Sequence, residues 1–439
     1  LTNKMDAPMK AQHLGRSIYR LGSLIARNNS VGTAGERTTC LRLTAKKLHN
    51  PIGSSRKPLL LPCRQLSSLA EQFQAASDAR RQPVNVHTVF RTEEDDPIQQ
   101  SSAQEGLFYT VPEGEVKRLF QKGLSVQFTR QAKTFNETCF MVRKPALEVI
   151  DCLKHLDLNH PAPRFLLYGN NGSGKTLTMA HIIHYCYRNK WLILHAPWPS
   201  DWNCRYHETS PSPHKAARID LPVEAAEWLV NFRSQNADFV RDIKLSQRYV
   251  WTKREAAEEG SPLNEIVEFG LNRMKFASDC VGAILKEVRN QAAMHKIKVL
   301  VAVDGVNAFW NMTTIKNPER ELLTADQLSL VHNYKKMLLS NWTHGAIVCS
   351  VDAFANARDH REKHYPHYLL GKEGYKWLDP FVPVHVPDYS EKEAYSCIEY
   401  YLDRNWIQHE AAQTEEGKKE LIFLSNRNPF QLMRICSSK

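Results

Sequence analysis

The segment FLLYGNNGSGKTLTMA, residues 165–180, constrains this chain most. It contains the complete pattern GxxxxGK[ST], with an apolar run before it and an amphipathic run after it. Glycines let such a loop turn tightly, so that successive backbone N–H groups point at one phosphate group, and the following helix adds its N-terminal dipole. The sequence therefore predicts a phosphate-binding loop between a strand and a helix.

The eight residues of this loop are the candidate nucleotide-binding site. Lys175 is expected to reach the β- and γ-phosphates, and the Thr176 hydroxyl is expected to coordinate Mg²⁺. The other six are expected to offer backbone N–H groups to phosphate: Gly169, Asn170, Asn171, Gly172, Ser173 and Gly174. A glycine-rich turn with a surface lysine is the alternative, but it gives no reason for the flanking strand and helix patterns.

A second acidic site is expected in VLVAVDGVNAFW, residues 299–310. Asp304 ends an apolar run and is the candidate to share Mg²⁺ with Thr176; an Asp that only caps the next turn is the alternative. Many ATP-hydrolysing proteins with this kind of loop carry an acidic residue directly after this Asp, which polarises the attacking water. Here the position is Gly305, and Asn307 can at best orient a water. The sequence predicts slow or no hydrolysis and assigns no catalytic residue.

Two weaker candidates follow later in the chain. Ser350 ends another apolar run, where it could face the γ-phosphate or be an ordinary small residue at a strand end. Asn428 followed by Pro429 predicts a helix start, and Arg434 is the candidate sensor arginine one turn on. The identity of the base stays open, because the guanine-reading pattern NKMD at 3–6 lies ahead of the loop instead of after it.

Short apolar runs alternate with helical patterns after the loop. The predicted strands are 165–168, 191–197, 299–304, 346–351 and 381–387, and the predicted helices are 144–156, 175–188, 223–235, 264–294, 324–339 and 390–405. Buried strands separated by helices imply a parallel sheet covered on both faces. Ligands of such sheets lie at the carboxyl ends of the strands. The predicted fold class is α/β.

Charge divides the chain unevenly. Residues 1–60 hold eleven Lys and Arg against two acids, whereas the remainder holds 47 basic and 45 acidic residues. A cation-rich, acid-poor start is typical of a mitochondrial transit peptide, and a basic RNA-binding tail is the alternative. Four parts are expected: a presequence-like segment (1–60), a polar linker or extended arm (61–106), a nucleotide-binding α/β domain (107–389) and a helical lid-like subdomain (390–439).

Other patterns limit the possible functions. No run of about 18 apolar residues occurs, so no membrane-spanning helix and no membrane partner is expected. The ten cysteines are scattered singly, which signals neither a zinc site nor a disulfide framework. In 241–254, Arg241, Lys244 and Arg248 would share one helical face ahead of Tyr249 and Trp251. That face could bind RNA, although a solvated charged surface is the commoner explanation.

Several segments in order resemble one known family. They are MVRKPALE (141–148), LLYG (166–169), VLVAVDG (299–305), LLGKEG (369–374), TEEGKKEL (414–421) and SNRNP (425–429). They are similar to the death-associated protein 3 family, GTP-binding proteins of the mitochondrial ribosomal small subunit. The resemblance runs from about residue 107 to the C-terminus.

The resemblance implies an AAA+-like P-loop NTPase fold in the mitochondrial matrix, bound to the ribosome. It further implies contacts with small-subunit proteins, ribosomal RNA and the large subunit, and a bound GTP or GDP with Mg²⁺. The preference for guanine is an implication of the resemblance alone. Two functions stay open: a ribosomal component with a structural nucleotide, and an active GTPase or ATPase switch in signalling such as apoptosis. An RNA-binding role is compatible with the first.

Overall fold

The computed structural model describes residues 89–215, 217–317, 319–356 and 363–437. The predictions for 1–60 and for most of 61–106 concern residues outside these ranges. Five parallel strands form the central sheet: β1 Arg164–Tyr168, β2 Leu192–Ala196, β3 Val299–Val303, β4 Gly345–Ser350 and β5 Val382–His385. Their order across the sheet is β5-β1-β4-β3-β2. Each coincides with a predicted strand, so the α/β class and the parallel sheet are confirmed.

The strands of the sheet are largely apolar because helices cover both of its faces. On β3, Val299, Val301 and Val303 pack into one hydrophobic core, whereas Leu300 and Ala302 pack into the other. All five side chains are fully buried. Side chains that alternate between two buried faces leave no polar position in the strand, and this gives the continuous apolar run seen in the sequence.

Fourteen α-helices lie within the described ranges. They are α1 Glu113–Leu119, α2 Val126–Phe135, α3 Lys144–Lys154, α4 Lys175–Arg188, α5 Ser200–Cys204, α6 Pro222–Gln235, α7 Ala237–Asp242, α8 Asn264–Asn272, α9 Ala277–Ala293, α10 Ser329–Met337, α11 Pro366–Leu378, α12 Glu391–Asp403, α13 Glu415–Ser425 and α14 Pro429–Cys436. Helices α6, α8, α9 and α10 contribute to the core on one face of the sheet, and α3 and α4 to the core on the other.

The single helix predicted over 264–294 is wrong. The first helix ends at Asn272, because Arg273 leaves the helical conformation. Helices α8 and α9 then pack against each other. A Cβ atom on Gly270 would lie 3.0 Å from the Cys280 Cβ atom, so this glycine allows the close approach of the two helices. Because both helices keep an apolar face, the periodicity continues across the break and conceals it. Helices α1, α2, α5, α7 and α11 were not predicted.

A third, smaller core joins the C-terminal helices to the beginning of the described chain. Strand Phe108–Thr110 pairs antiparallel with Cys139–Met141. Side chains from this ribbon, from α2, α12 and α14 form one cluster, in which Phe108 and Tyr400 stack with ring centroids 4.5 Å apart. The C-terminal helices are therefore packed against elements that precede the glycine-rich loop in sequence.

Three further antiparallel pairs lie outside the central sheet: Ser210–Pro211 with Ile219–Asp220, Tyr249–Val250 with Ala256–Ala257, and Met312–Lys316 with Leu322–Thr324. No helix in the described part of the chain is long and apolar enough to cross a bilayer. The eight cysteines within the described ranges are all free.

Candidate nucleotide-binding site

The carboxyl ends of β1, β3 and β4 bring three predicted site segments together. In the register of the sheet, Leu167 on β1 lies opposite Ser350 on β4, and Cys349 on β4 lies opposite Val303 on β3. The glycine-rich loop (Gly169–Thr176) follows β1, Asp304 follows β3, and Ser350 ends β4. Parallel strands whose ends are level place these residues at one edge of the sheet.

Three positions in the glycine-rich loop require glycine. Gly172 and Gly174 have φ of 77° and 97°, a region that side chains disfavour. A Cβ atom on Gly172 would also lie 2.5 Å from the Phe430 Cβ atom, and one on Gly169 would lie 2.2 Å from the carbonyl oxygen of Val386. The loop is thus closely surrounded by chain segments that come more than 200 residues later.

Lys175 is buried at the start of α4, where only 5% of its surface is exposed. Its Nζ donates to the carbonyl oxygens of Gly169 (3.1 Å) and Asn170 (3.0 Å) and lies 3.1 Å from Asp352 Oδ2. These carbonyl and carboxylate partners satisfy the buried ammonium group and hold it in place. It can therefore present a fixed positive charge inside the loop. Asp352 was not predicted.

Thr176 and Asp304 are brought together as the sequence predicted. The Thr176 hydroxyl donates to Asp304 Oδ2 at 2.7 Å, and the Ser350 hydroxyl donates to Asp304 Oδ1. Ser350 Oγ in turn accepts from the Gly305 N–H at 2.9 Å. Burial raises the pKa of Asp304, against the opposing effect of the Ser350 and Thr176 hydroxyls. A cation beside this carboxylate would favour its ionised form.

Gly305 and Asn307 have structural partners. Gly305 has φ of 77°, and a Cβ atom there would lie 3.0 Å from the Trp198 ring. The Asn307 amide donates to the Asp352 carbonyl (2.9 Å) and accepts from the Asp352 N–H (3.1 Å). Asn307 therefore fixes the backbone of Asp352, and the side chain that Asn307 positions is a carboxylate beside Lys175.

Arg143 is the functional residue that sequence reasoning missed most clearly. Its guanidinium donates to the Ser173 carbonyl (2.6 Å), to the Pro387 carbonyl (2.9 Å) and to both carboxylate oxygens of Glu393 (2.8 and 3.3 Å). It also lies 5.0 Å from the centre of the Tyr389 ring. Arg143 ties the glycine-rich loop to α12. No local pattern around residue 143 signals partners 30 and 250 residues away.

Asn428 starts α14 as predicted, since its side chain accepts from the Gln431 N–H at 3.2 Å. It has a second role that was not predicted, because its amide donates to the Asn171 carbonyl (3.0 Å) and to Asp388 (2.7 Å). Asp388 accepts from the Asn170 amide at 3.1 Å. The start of α14 is therefore bonded directly to the glycine-rich loop. Arg434 is exposed in the last turn of α14 and does not line the site.

A cavity of about 260 Å³ lies between the glycine-rich loop and helices α2, α12 and α14. Gly172, Gly174, Lys175 and Thr176 line one side of it. The remaining lining is rich in aromatic rings: Phe108, Phe128, Phe135, Tyr389, Tyr400, Tyr401 and Phe430. The cavity therefore combines a cationic, N–H-rich end with an apolar, aromatic end. That combination suits a ligand with a charged group and a planar ring.

Two further observations bear on what the site can hold. The hydroxyl of Ser173 is buried with no hydrogen-bond partner among the described residues. No group of three or more His, Cys, Asp and Glu side chains in those residues could hold a metal ion by itself. Mg²⁺ at Thr176 and Asp304 would therefore take its other ligands from phosphate and water, which is its usual coordination in nucleotide sites.

The segment 241–254 does not form the predicted helical face. Helix α7 ends at Asp242, and Ile243 and Leu245 are both buried with exposed Lys244 between them. The Leu245 N–H donates to Ser261 and the Leu263 N–H donates to Ile243. These buried residues alternate with period two, and the backbone pairs like a strand, so Arg241, Lys244 and Arg248 do not share a helix.

Proteins of one family are similar to this chain over most of its length. The model of a family described as "Mitochondrial ribosomal death-associated protein 3" matches residues 140–435. The mouse protein named small ribosomal subunit protein mS29 is 48% identical over 367 residues, 83% of this chain and 93% of the mouse protein. The cattle protein of the same name is 47% identical over 80% of this chain and 88% of its own length. A solved HORMA:CdnC:Trip13 complex from E. coli MS115-1 aligns at 12% identity over 72% of this chain and 79% of that one. Its TM-score of 0.28 is too low to inform the fold.

Proposed function

Because this chain belongs to the family of mitochondrial ribosomal death-associated protein 3, we propose that it is a structural component of the small subunit of the mitochondrial ribosome. Its location is then the mitochondrial matrix. Its partners are other small-subunit proteins, ribosomal RNA and the large subunit across the interface between the subunits. The name shared by the mouse and cattle relatives, small ribosomal subunit protein mS29, supports the ribosomal assignment.

The second part of the proposal is a guanine nucleotide, GTP or GDP, held with Mg²⁺ in an AAA+-like P-loop fold. The observation that carries it is the joint position of buried Lys175 and the Thr176–Asp304 pair at the carboxyl edge of the sheet. Lys175 and the loop N–H groups would hold the phosphates, and Thr176 with Asp304 would hold Mg²⁺. The metal would neutralise phosphate charge. The aromatic end of the cavity supports a purine ring, and the choice of guanine follows the family.

A structural role for the nucleotide is supported by the contacts across the loop. Arg143, Asn428 and Asp388 join the loop to α12 and α14. A ligand that orders the loop would therefore also stabilise the packing of the C-terminal helices. A ligand that binds only the native state stabilises it by about 4 kcal/mol at a thousandfold excess over Kd. That is a large share of a typical folding free energy of about 5–15 kcal/mol.

We expect the purified protein to retain about one guanine nucleotide per chain, and mass spectrometry of the heat-released nucleotide would measure it. The double variant Lys175→Ala/Thr176→Ala should release none, because it lacks the phosphate-binding cation and the magnesium ligand. A control variant, Lys144→Ala, changes an exposed lysine outside the site and should retain the wild-type amount. Recovery of adenine nucleotide, or of none from wild-type protein, would refute the guanine assignment.

We expect turnover of GTP to be at or below about 10⁻³ s⁻¹, the intrinsic rate of a GTPase without an arginine finger. Gly305 offers no base, and the Asp352 carboxylate is bound by Lys175 and by the Phe354 N–H at 2.9 Å. Phosphate release under single-turnover conditions measures the rate. The variant Asp304→Asn, which lacks the proposed magnesium ligand, gives the background rate of phosphate release. A wild-type rate of about 10⁻² s⁻¹ or more would favour the alternative, an active switch in signalling such as apoptosis.

A further inference from the structure

A second concave surface, outside the nucleotide cavity, concentrates positive charge. The groove lies between α9, α10 and the antiparallel pair Ser210–Pro211 with Ile219–Asp220, and has a volume of about 720 Å³. Lys215, Arg218, Lys286 and Lys336 line it. We call this surface the basic groove. Its cations come from three separate elements, so tertiary structure alone assembles them.

The four cations of the basic groove form no ion pair with a carboxylate of the described residues. None of the ion pairs found within the described ranges includes Lys215, Arg218, Lys286 or Lys336. Arg218 instead donates to the neutral imidazole of His332 at 2.7 Å, since burial and the neighbouring cations lower the pKa of His332 to about 4. These four cations lie close together without a carboxylate in ion-pair contact, and Arg218 has only the longer-range attraction of Asp220 and Asp326.

Lys336 is surrounded by like charges. Burial lowers the pKa of its ammonium group, and Arg218, Lys215, Arg289 and Lys286 lower it further. These are unfavourable interactions within the folded protein. A polyanion in the groove would offset this repulsion, because each cation would gain an attractive partner.

The carboxylate that lines the basic groove does little to offset this charge. The Asp279 side chain is recessed, with 12% of its surface exposed, and its Oδ2 lies 3.5 Å from His214 Nε2. Burial raises the pKa of Asp279 to about 6. Near neutral pH the four cations outnumber this one carboxylate even when it is ionised, so the net charge presented to a ligand is positive.

Aromatic and apolar side chains continue the groove on one side. Tyr249, Val250 and Trp251 line it, Val250 is 53% exposed, and the Tyr249 and Trp251 rings stack with centroids 6.3 Å apart. Tyr249 is only 8% exposed and Trp251 also stacks on Phe269, so these rings form a rigid apolar wall of the groove. The groove cations are therefore the groups that would meet a polyanion, and the ribosomal function proposed above makes RNA the polyanion expected there. Groove cations meet backbone phosphates without reading sequence.

We propose that the basic groove binds the phosphate backbone of RNA. This inference deepens the ribosomal RNA contact of the proposed function, on which it rests for the source of the RNA, by assigning a surface to that contact. It is independent of the bound nucleotide. It also replaces the helical face predicted over 241–254: the aromatic residues of that segment contribute, and its cations Arg241, Lys244 and Arg248 do not line the groove.

The test is the binding of fluorescent poly(U) RNA to the full chain, measured by anisotropy from about 50 to 200 mM salt. We expect Lys286→Glu/Lys336→Glu to bind at least tenfold more weakly. The slope of log affinity against log salt should become shallower by about 1.4, because each phosphate contact on a single strand contributes about 0.7. The basic segment 1–60 is common to all variants and gives them the same background.

The matched control is Lys419→Glu/Arg434→Glu, which makes the same change of charge at exposed positions on α13 and α14. Its affinity should stay within twofold of wild type. Equal loss in both double variants, or no loss in the groove variant, would overturn the proposal. Polyglutamate that binds the groove as tightly as RNA would also overturn it, in favour of an acidic protein partner. If the purified protein retains no nucleotide but its RNA binding still depends on the groove cations, the nucleotide assignment is contradicted and the RNA-binding assignment is supported.

Discussion

Lys175→Ala is expected to lose the bound nucleotide and to lower the thermal midpoint by about 8 °C. A tightly bound ligand contributes about 4 kcal/mol, and each kcal/mol corresponds to about 2 °C for a domain of this size. Lys175 is nearly fully buried, and its Nζ is the cationic group inside the glycine-rich loop. Its removal also leaves Asp352 facing the phosphates without a counter-charge, which weakens binding further.

The experiment separates the ligand from the lost ion pair by comparing melting with and without added GDP and Mg²⁺. Wild-type protein stripped of nucleotide should regain its midpoint when both are added, whereas Lys175→Ala should not respond. Lys144→Ala, an exposed substitution in the helix before β1, should melt within about 1 °C of wild type and respond normally. A midpoint that is unchanged after nucleotide loss would contradict a structural role and favour a switch.

Arg143→Ala is expected to cost about 3–5 kcal/mol of folding free energy, or about 6–10 °C in the midpoint. Arg143 and Glu393 each expose only 6% of their side chains. Removal of the arginine leaves the Glu393 carboxylate buried without its partner, and it also frees the carbonyls of Ser173 and Pro387. Denaturant unfolding followed by fluorescence measures the change.

Two controls show whether burial is the cause. Arg233 forms an equally short ion pair with Glu268 (2.6 Å), but both side chains are more than 40% exposed, so Arg233→Ala should cost about 1 kcal/mol or less. In a double-mutant cycle with Glu393→Gln, which keeps an acceptor for the Ser390 N–H, the two losses should couple by about 1–3 kcal/mol. Additive losses would mean that the Arg143–Glu393 pair is not what holds α12 against the loop.

Much of the sheet could be predicted from the sequence because strands that are buried on both faces leave continuous apolar runs. All five central strands were found in this way, and so were α3, α4, α6 and the start of α14 at Asn428. Helices α1 and α2 were missed. Both helices are short and contain more polar than apolar residues, so that the apolar face of α2 is not conspicuous in the sequence.

The sequence by itself determined the glycine-rich loop, the residues that could hold phosphate and magnesium, and the α/β class, because each depends on spacing along a local stretch of chain. Only the tertiary structure decided that Arg143, Asp352, Asp388 and Asn428 surround the loop and that four distant cations form the basic groove. Such contacts join residues up to 257 positions apart. Side chains that meet only after packing leave no periodic or local pattern by which their partners could be identified.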